Sequence, residues 1–171
     1  MSSFLEHITV VLAPLIVSNI LHMLVVKRAY FEWLKQPILD NAFGSNKTWR
    51  GFVFVPLVNA VGLQILDVVS SYNVQNAFVL GFMLGFAYML FELPNSYTKR
   101  KLGIKSGQHP SKNQVWFALI DKTDSAFGVS LFYFLLGYID YQYGILLFLL
   151  SSLTHISASF LLLKLKLKQS F

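Results

Sequence analysis

The apolar residues of this chain fall in long runs separated by polar connections. The first run, Ile8–Val26, contains no Asp, Glu, Lys or Arg. At 1.5 Å of rise per residue it is long enough to cross a hydrocarbon core of about 30 Å. A cleavable signal peptide would want a basic start. The chain instead opens with Glu6 and His7 and no Lys or Arg, which predicts a retained helix. Phe52–Ser70 is the second expected span and carries Pro56, Asn59, Gln64 and Asp67. The third, Ala77–Phe91, is expected to continue past Pro94 as a kinked helix to about Arg100. The fourth, Val115–Tyr138, holds Asp121, Lys122 and Asp124 in its first turns, and Gly144–Leu163 is the fifth. The pattern therefore predicts an all-α, polytopic membrane protein of about five transmembrane helices. There is no internal repeat and no low-complexity segment.

Composition points the same way. With 171 residues the chain makes one domain, 1–171, rather than two. It is 55% apolar and 13% charged, against about 45–50% and about 25% in soluble domains. A soluble chain of this length cannot bury that much apolar surface, so lipid must cover the excess. A net charge of +6 raises nucleic acid as a partner, but the basic residues lie between apolar runs. All 14 Lys and Arg fall in three places. Lys27, Arg28, Lys35, Lys47 and Arg50 lie between the first two spans. Lys99, Arg100, Lys101, Lys105 and Lys112, with Lys122 just beyond, follow the third. Lys164, Lys166 and Lys168 make the tail. Basic residues stay on the cytoplasmic face during insertion, so the N-terminus is expected outside and the C-terminus in the cytoplasm. Tyr138, Tyr141 and Tyr143 suit an aromatic belt at the outer face. With no cysteine, disulfides and thiolate chemistry are excluded.

Ionisable groups inside apolar spans are costly and usually functional. Glu92, Ser96 and Lys99 are spaced i, i+4, i+7, on one helix face, beside the carbonyls that Pro94 frees. A helix-end salt bridge from Glu92 to Lys99 or Arg100 accounts for the same spacing equally well. Asp121 and Asp124, at i and i+3, also share a face. Two close carboxylates repel unless a cation or proton lies between them, and hard oxygens beside phosphate-binding bases suit Mg²⁺. The alternative is an interfacial acidic pair solvated by headgroup water, with Lys122 as its partner. Lys47-Thr48-Trp49-Arg50-Gly51 either grips phosphate or anchors the second span. His22, with Asn19 nearby, and His155, near Thr154, are expected to be packed polar residues bonding across helices. His109 is expected to be solvated. No P-loop, His-x₃-His pair or Ser/His/Asp order is present.

Three segments, taken in order, resemble the CDP-archaeol synthase family, a branch of the membrane CTP:phosphatidate cytidylyltransferases. They are Phe43-Gly44-Ser45-Asn46-Lys47-Thr48-Trp49-Arg50-Gly51, Glu92-Leu93-Pro94-Asn95-Ser96-Tyr97-Thr98-Lys99-Arg100-Lys101-Leu102-Gly103-Ile104, and Asp121-Lys122-Thr123-Asp124-Ser125. The resemblance covers about Pro37 to Leu136. It implies a five-helix enzyme of the cell membrane that couples CTP to a phosphorylated glycerolipid with Mg²⁺ and releases pyrophosphate. It also implies metal-binding positions at Glu92, Asp121 and Asp124, and phosphate-contacting positions at Ser96, Lys99 and Arg100. Lys47, Thr48 and Arg50 fall in an amino-proximal substrate motif. Lys47 and Arg50, joined by Lys99, Arg100 and Lys105, are expected to form one basic surface for the phosphates, with Lys99 also among the catalytic groups. Expected partners are CTP, a lipid phosphate and the surrounding lipid, with no nucleic acid; a homodimer is left open. Two rivals remain: a CTP-dependent polyprenol or phytol kinase, distinguished by its products, and a non-catalytic membrane subunit or small transporter, which needs no clustered acids and bases.

Overall fold

In hydrocarbon a spanning segment must satisfy its backbone hydrogen bonds internally, so each apolar run becomes a helix. The computed structural model describes residues 3–106, 108 and 114–164; His109, Lys112, Lys166 and Lys168 lie outside them. The long helices are α1 (Phe4–Lys27), α3 (Trp49–Ser70), α4 (Ala77–Lys101), α5 (Gln114–Leu135) and α6 (Tyr141–Lys164), and a short α2 (Asp40–Phe43) lies in the first connection. Among the described residues, four segments are long and apolar enough to cross a membrane: α1, α3, α4 and the Tyr141–Leu161 part of α6. Helix α5 is as long as α3, and Asp121, Lys122 and Asp124 set its first half apart.

The helix ends differ from the hydropathy pattern where local chemistry decides. Ser3 caps α1 by accepting the Glu6 N–H at 3.4 Å, so that helix starts a turn before Ile8. Helix α5 stops at Leu135 rather than Tyr138. Gly137 takes φ +78° and the Tyr138 N–H returns to the Tyr133 carbonyl, a left-handed stop suited to glycine. Asp140 opens α6 early by accepting the Tyr143 N–H at 2.9 Å. Helix α4 runs unbroken through Pro94 to Lys101.

The helices alternate in direction and close a ring. Helix α3 packs between α1 and α4, α5 lies between α4 and α6, and α6 returns to touch α1. At one end His7 Nδ1 lies 2.9 Å from the Tyr133 hydroxyl, and Phe4 stacks on Tyr143. At the other end, contacts tie the start of α3 to the end of α4 and the end of α4 to the start of α5. Every described Lys and Arg belongs to this second end. At the first end Tyr141 and Tyr143 are exposed as expected for an aromatic belt. Tyr138 instead turns inward and stacks on Tyr133 with ring centroids 4.8 Å apart.

Two close approaches set the register of the site. Gly81 and Gly85 lie one turn apart on α4, where a Cβ at Gly85 would meet the Pro56 Cα at 2.7 Å and one at Gly81 the Ala60 Cα at 2.8 Å. Such small-residue spacing lets two backbones touch, the main route to tight helix pairing in lipid. Asn59 locks it by donating to the Gly81 carbonyl at 2.6 Å. On the other flank the Phe91 ring fills the place of a Gly128 Cβ. One turn beyond Phe91 is Asn95, and one turn before Gly128 is Asp124. Val61, Ile65, Val69, Val79, Leu149 and Phe160 are exposed on the outside of the bundle, the surface that lipid covers.

Candidate functional site at the basic end of the bundle

The connection from α1 to α3 folds back over the end of α4. An isolated antiparallel bridge joins Pro37 to Thr48, with the Ile38 N–H on the Lys47 carbonyl at 2.9 Å and the Trp49 N–H on the Gln36 carbonyl at 3.1 Å. Helix α2 rests on α4, with Phe43 beside Tyr97. Gly44, at φ +84°, has no room for a side chain between Arg100 and Ser106. This clasp fixes Lys47, whose ammonium donates to the Glu92 carboxylate. Both side chains keep only about a fifth of their surface exposed (21% and 19%). Burial works against the Lys47 charge, but Glu92, with Asp124 and Asp121 beyond it, outweighs burial and raises its pKa above the ordinary value. Lys47 therefore stays an ammonium and shares one electrostatic field with all three carboxylates.

Helix α4 meets α5 through a second set of contacts. Lys99 donates to both oxygens of Asp121. The Asn95 amide donates to Asp121 Oδ1 at 2.5 Å and to Asp124 Oδ2 at 3.0 Å. Asp124 Oδ1 also accepts the Ser125 N–H at 2.6 Å. Glu92, Asn95 and Lys99 are spaced i, i+3, i+7, which aims them along one stripe. The two readings of Glu92 thus resolve at the level of contact: its partner is Lys47, from a distant segment, rather than Lys99 or Arg100.

Other sequence candidates are placed differently. Arg50 is buried, donates to the Tyr30 carbonyl at 3.1 Å and lies 3.9 Å from Glu32, so it holds the chain leaving α1. Arg100 donates to the Ile104 carbonyl and secures the turn after α4. The buried Ser96 hydroxyl donates to the Glu92 carbonyl at 3.0 Å. Thr48 stands at the N-cap of α3 without a side-chain bond to it, and Lys105 is exposed beyond α4.

Sequence reasoning did not assign Asn95, although the residue lies within the Glu92–Ile104 segment. It also missed Tyr88. The Tyr88 hydroxyl receives Asn19 at 3.2 Å and lies 3.1 Å from His155 Nε2, and His155 Nδ1 lies 3.0 Å from the Lys122 carbonyl. His155 thus bonds across helices as expected. His22 does not: its Nε2 is buried without a hydrogen-bond partner among the described residues, and Asn19 serves Tyr88 instead. Asn19, Tyr88, Ser151 and His155 border a largely apolar cavity between α1, α4, α5 and α6. Tyr88, which borders this cavity, lies one turn from Glu92 on α4.

Among the described residues, no three of His, Asp and Glu converge as a ready-made metal cluster. The Asp121 and Asp124 pair nevertheless fits a hard divalent cation. Oxygens of both carboxylates point at one spot, and what stands there is an amide NH₂, a donor of partial positive charge.

A ring of membrane-length helices with a partly exposed acid and base cluster at its positively charged end defines an all-helical, multi-pass membrane protein with a polar site at the lipid–water boundary. The family model for CarS-like proteins, CDP-archaeol synthase, matches residues 39–171, and the chain belongs to that family. Membership makes it a CTP-dependent cytidylyltransferase of lipid biosynthesis, with CTP and a lipid phosphate as the implied substrates. No curated protein and no solved structure matches the chain.

Proposed function

We propose that this protein transfers CMP from CTP to a phosphorylated glycerolipid of the archaeol-phosphate or phosphatidate type, forming CDP-lipid and pyrophosphate. The observation that carries the reading is the meeting of Lys47 with Glu92 and of Lys99 with Asp121 in one field at the basic end. By the positive-inside rule that end faces the cytoplasm, where CTP is. The N-terminus then lies outside the cell membrane.

An oxygen of the lipid phosphate attacks the α-phosphorus of CTP. The bond from that phosphorus to the bridging oxygen breaks, and pyrophosphate leaves with the electron pair. A phosphate monoester has its second pKa near about 6, so the nucleophile is already an anion and needs no general base. The difficulty is bringing two anions together, and at the effective dielectric of a partly buried site that repulsion amounts to several kcal/mol. Lys47 and Lys99 offset it from two sides and steady the charge on the departing pyrophosphate. Asp121 and Asp124 are the residues that would hold Mg²⁺, which supplies further positive charge to the polyphosphate when bound. Glu92 orients Lys47. The lipid chains stay among the helices, where the cavity beside Tyr88 lies.

The test is incubation of purified protein with labelled CTP, Mg²⁺ and a panel of lipid phosphates and lipid alcohols. CDP-lipid with pyrophosphate is the expected product. A lipid phosphate with CDP would instead make the protein a kinase, and no turnover on any panel member would remove the enzyme reading.

A further inference from the structure

We infer that Asn95 belongs to the cation site: without the cation its amide NH₂ stands in the cation's place between Asp121 and Asp124, and with the cation bound the amide turns its oxygen inward. This rests on the proposed function, since it concerns the cation used there.

The geometry carries the argument. Asn95 Nδ2 lies 2.5 Å from Asp121 Oδ1 and 3.0 Å from Asp124 Oδ2, so one atom touches both acids. Any atom that bridges two carboxylates must be positive or a donor, because two close carboxylates repel. An Asn side chain carries both a donor end and an acceptor end. Rotation of the amide about its last side-chain bond exchanges the two and turns a clamp into a neutral oxygen ligand. Hard cations accept such amide oxygens. The position is rigidly supplied, because Asn95 follows Phe91 by one turn and the Phe91 ring is seated against Gly128. Lys99 lies one further turn along the same stripe and takes both oxygens of Asp121. A cation entering at Asn95 competes with that ammonium and frees it for phosphate. A plain α4–α5 clamp would explain the two hydrogen bonds but predicts a different response to substitution.

The probe is Mn²⁺ bound to the purified full chain in detergent, counted by its electron paramagnetic resonance signal with CTP present and absent. Asn95→Asp adds a third carboxylate at the meeting point and should tighten Mn²⁺ binding by about tenfold, since affinity for a hard cation rises with the charge of its ligand set. Asn95→Ala removes the ligand and should weaken binding by a similar factor. Lys99→Gln should tighten binding without CTP and shrink the enhancement that CTP gives. Lys101→Gln removes a charge from the same helix end, where Lys101 lies over the Tyr97 ring, and should change little. If Asn95→Asp does not fold, Asn95→Ala alone decides. Mn²⁺ affinity within twofold of wild type in the Asn95 variants would overturn the assignment and leave the proposed function standing. Absence of Mn²⁺ binding to the wild-type protein even with CTP would overturn both.

Discussion

Replacing Lys47 by Met or Glu92 by Gln separates structure from chemistry at the contact that joins the first connection to α4. Each change leaves a part-buried charge without its partner. Breaking a fully buried pair from one side costs about 3–5 kcal/mol. Because both side chains keep about a fifth of their surface in solvent (21% and 19%), the expectation here is lower, roughly 2–3 kcal/mol. In a chain of this length each kcal/mol moves the melting temperature by about 2–4 °C, so each single variant should melt roughly 4–12 °C lower in detergent. The double variant Lys47→Met/Glu92→Gln removes both charges together and should recover most of that loss, since a well-packed neutral pair is often as stable as the ion pair it replaces. Turnover should behave otherwise. If Lys47 must neutralise phosphate, the double variant stays inactive although it is stable, while Glu92→Asp keeps some activity. The assay pairs thermal melting with CDP-lipid formation on the same preparations. A double variant with near wild-type turnover would refute the catalytic role of this pair and leave it a tie between segments. Single variants that melt like wild type would refute the structural role.

Four other outcomes follow from the same geometry. The Lys47 pKa is raised above its ordinary value of 10.5, so the stability it contributes is fully present below that value and is lost only as pH rises through the raised one. The melting gap between wild type and Lys47→Met should therefore stay level across about pH 6 to 9 and close only above about pH 10.5. Asp121→Asn and Asp124→Asn should each abolish turnover while the protein remains inserted and folded; near-normal rates with Mg²⁺ in both would make the pair structural. Arg50→Lys should lower the melting temperature by loosening the grip on the Tyr30 carbonyl and leave the KM for CTP near wild type, whereas a large KM increase would return Arg50 to the phosphates. A tag after Phe171 should be accessible only from the cytoplasm of intact cells and one before Ser2 only from outside; the reverse pattern would invert the topology.

The sequence by itself determined the class of protein. Runs of about twenty apolar residues can only be helices in lipid, because no other open segment satisfies its backbone there. The helices found lie within a few residues of those runs. Charge sorting was equally legible, since which Lys and Arg share an end depends only on the order of spans and connections. Three carboxylates in apolar helices stood out because burying an ion without a purpose is costly.

Partnership was decided only in three dimensions. Spacing along α4 offered Lys99 or Arg100 as one possible partner for Glu92, but the folded chain pairs it with Lys47, 45 residues away, because the clasp at Pro37 and Thr48 lays the first connection over α4. Arg50 shares its motif with Lys47, and Arg100 stands beside Lys99, yet both arginines are turned to backbone carbonyls. Asn95 was indistinguishable from any polar residue at a helix end until the Gly81–Gly85 and Gly128 contacts fixed the registers of α3, α4 and α5. Periodicity reports which face of a helix a side chain occupies. Which face of another helix it meets depends on interhelical register, and that is set by where small residues let two backbones touch.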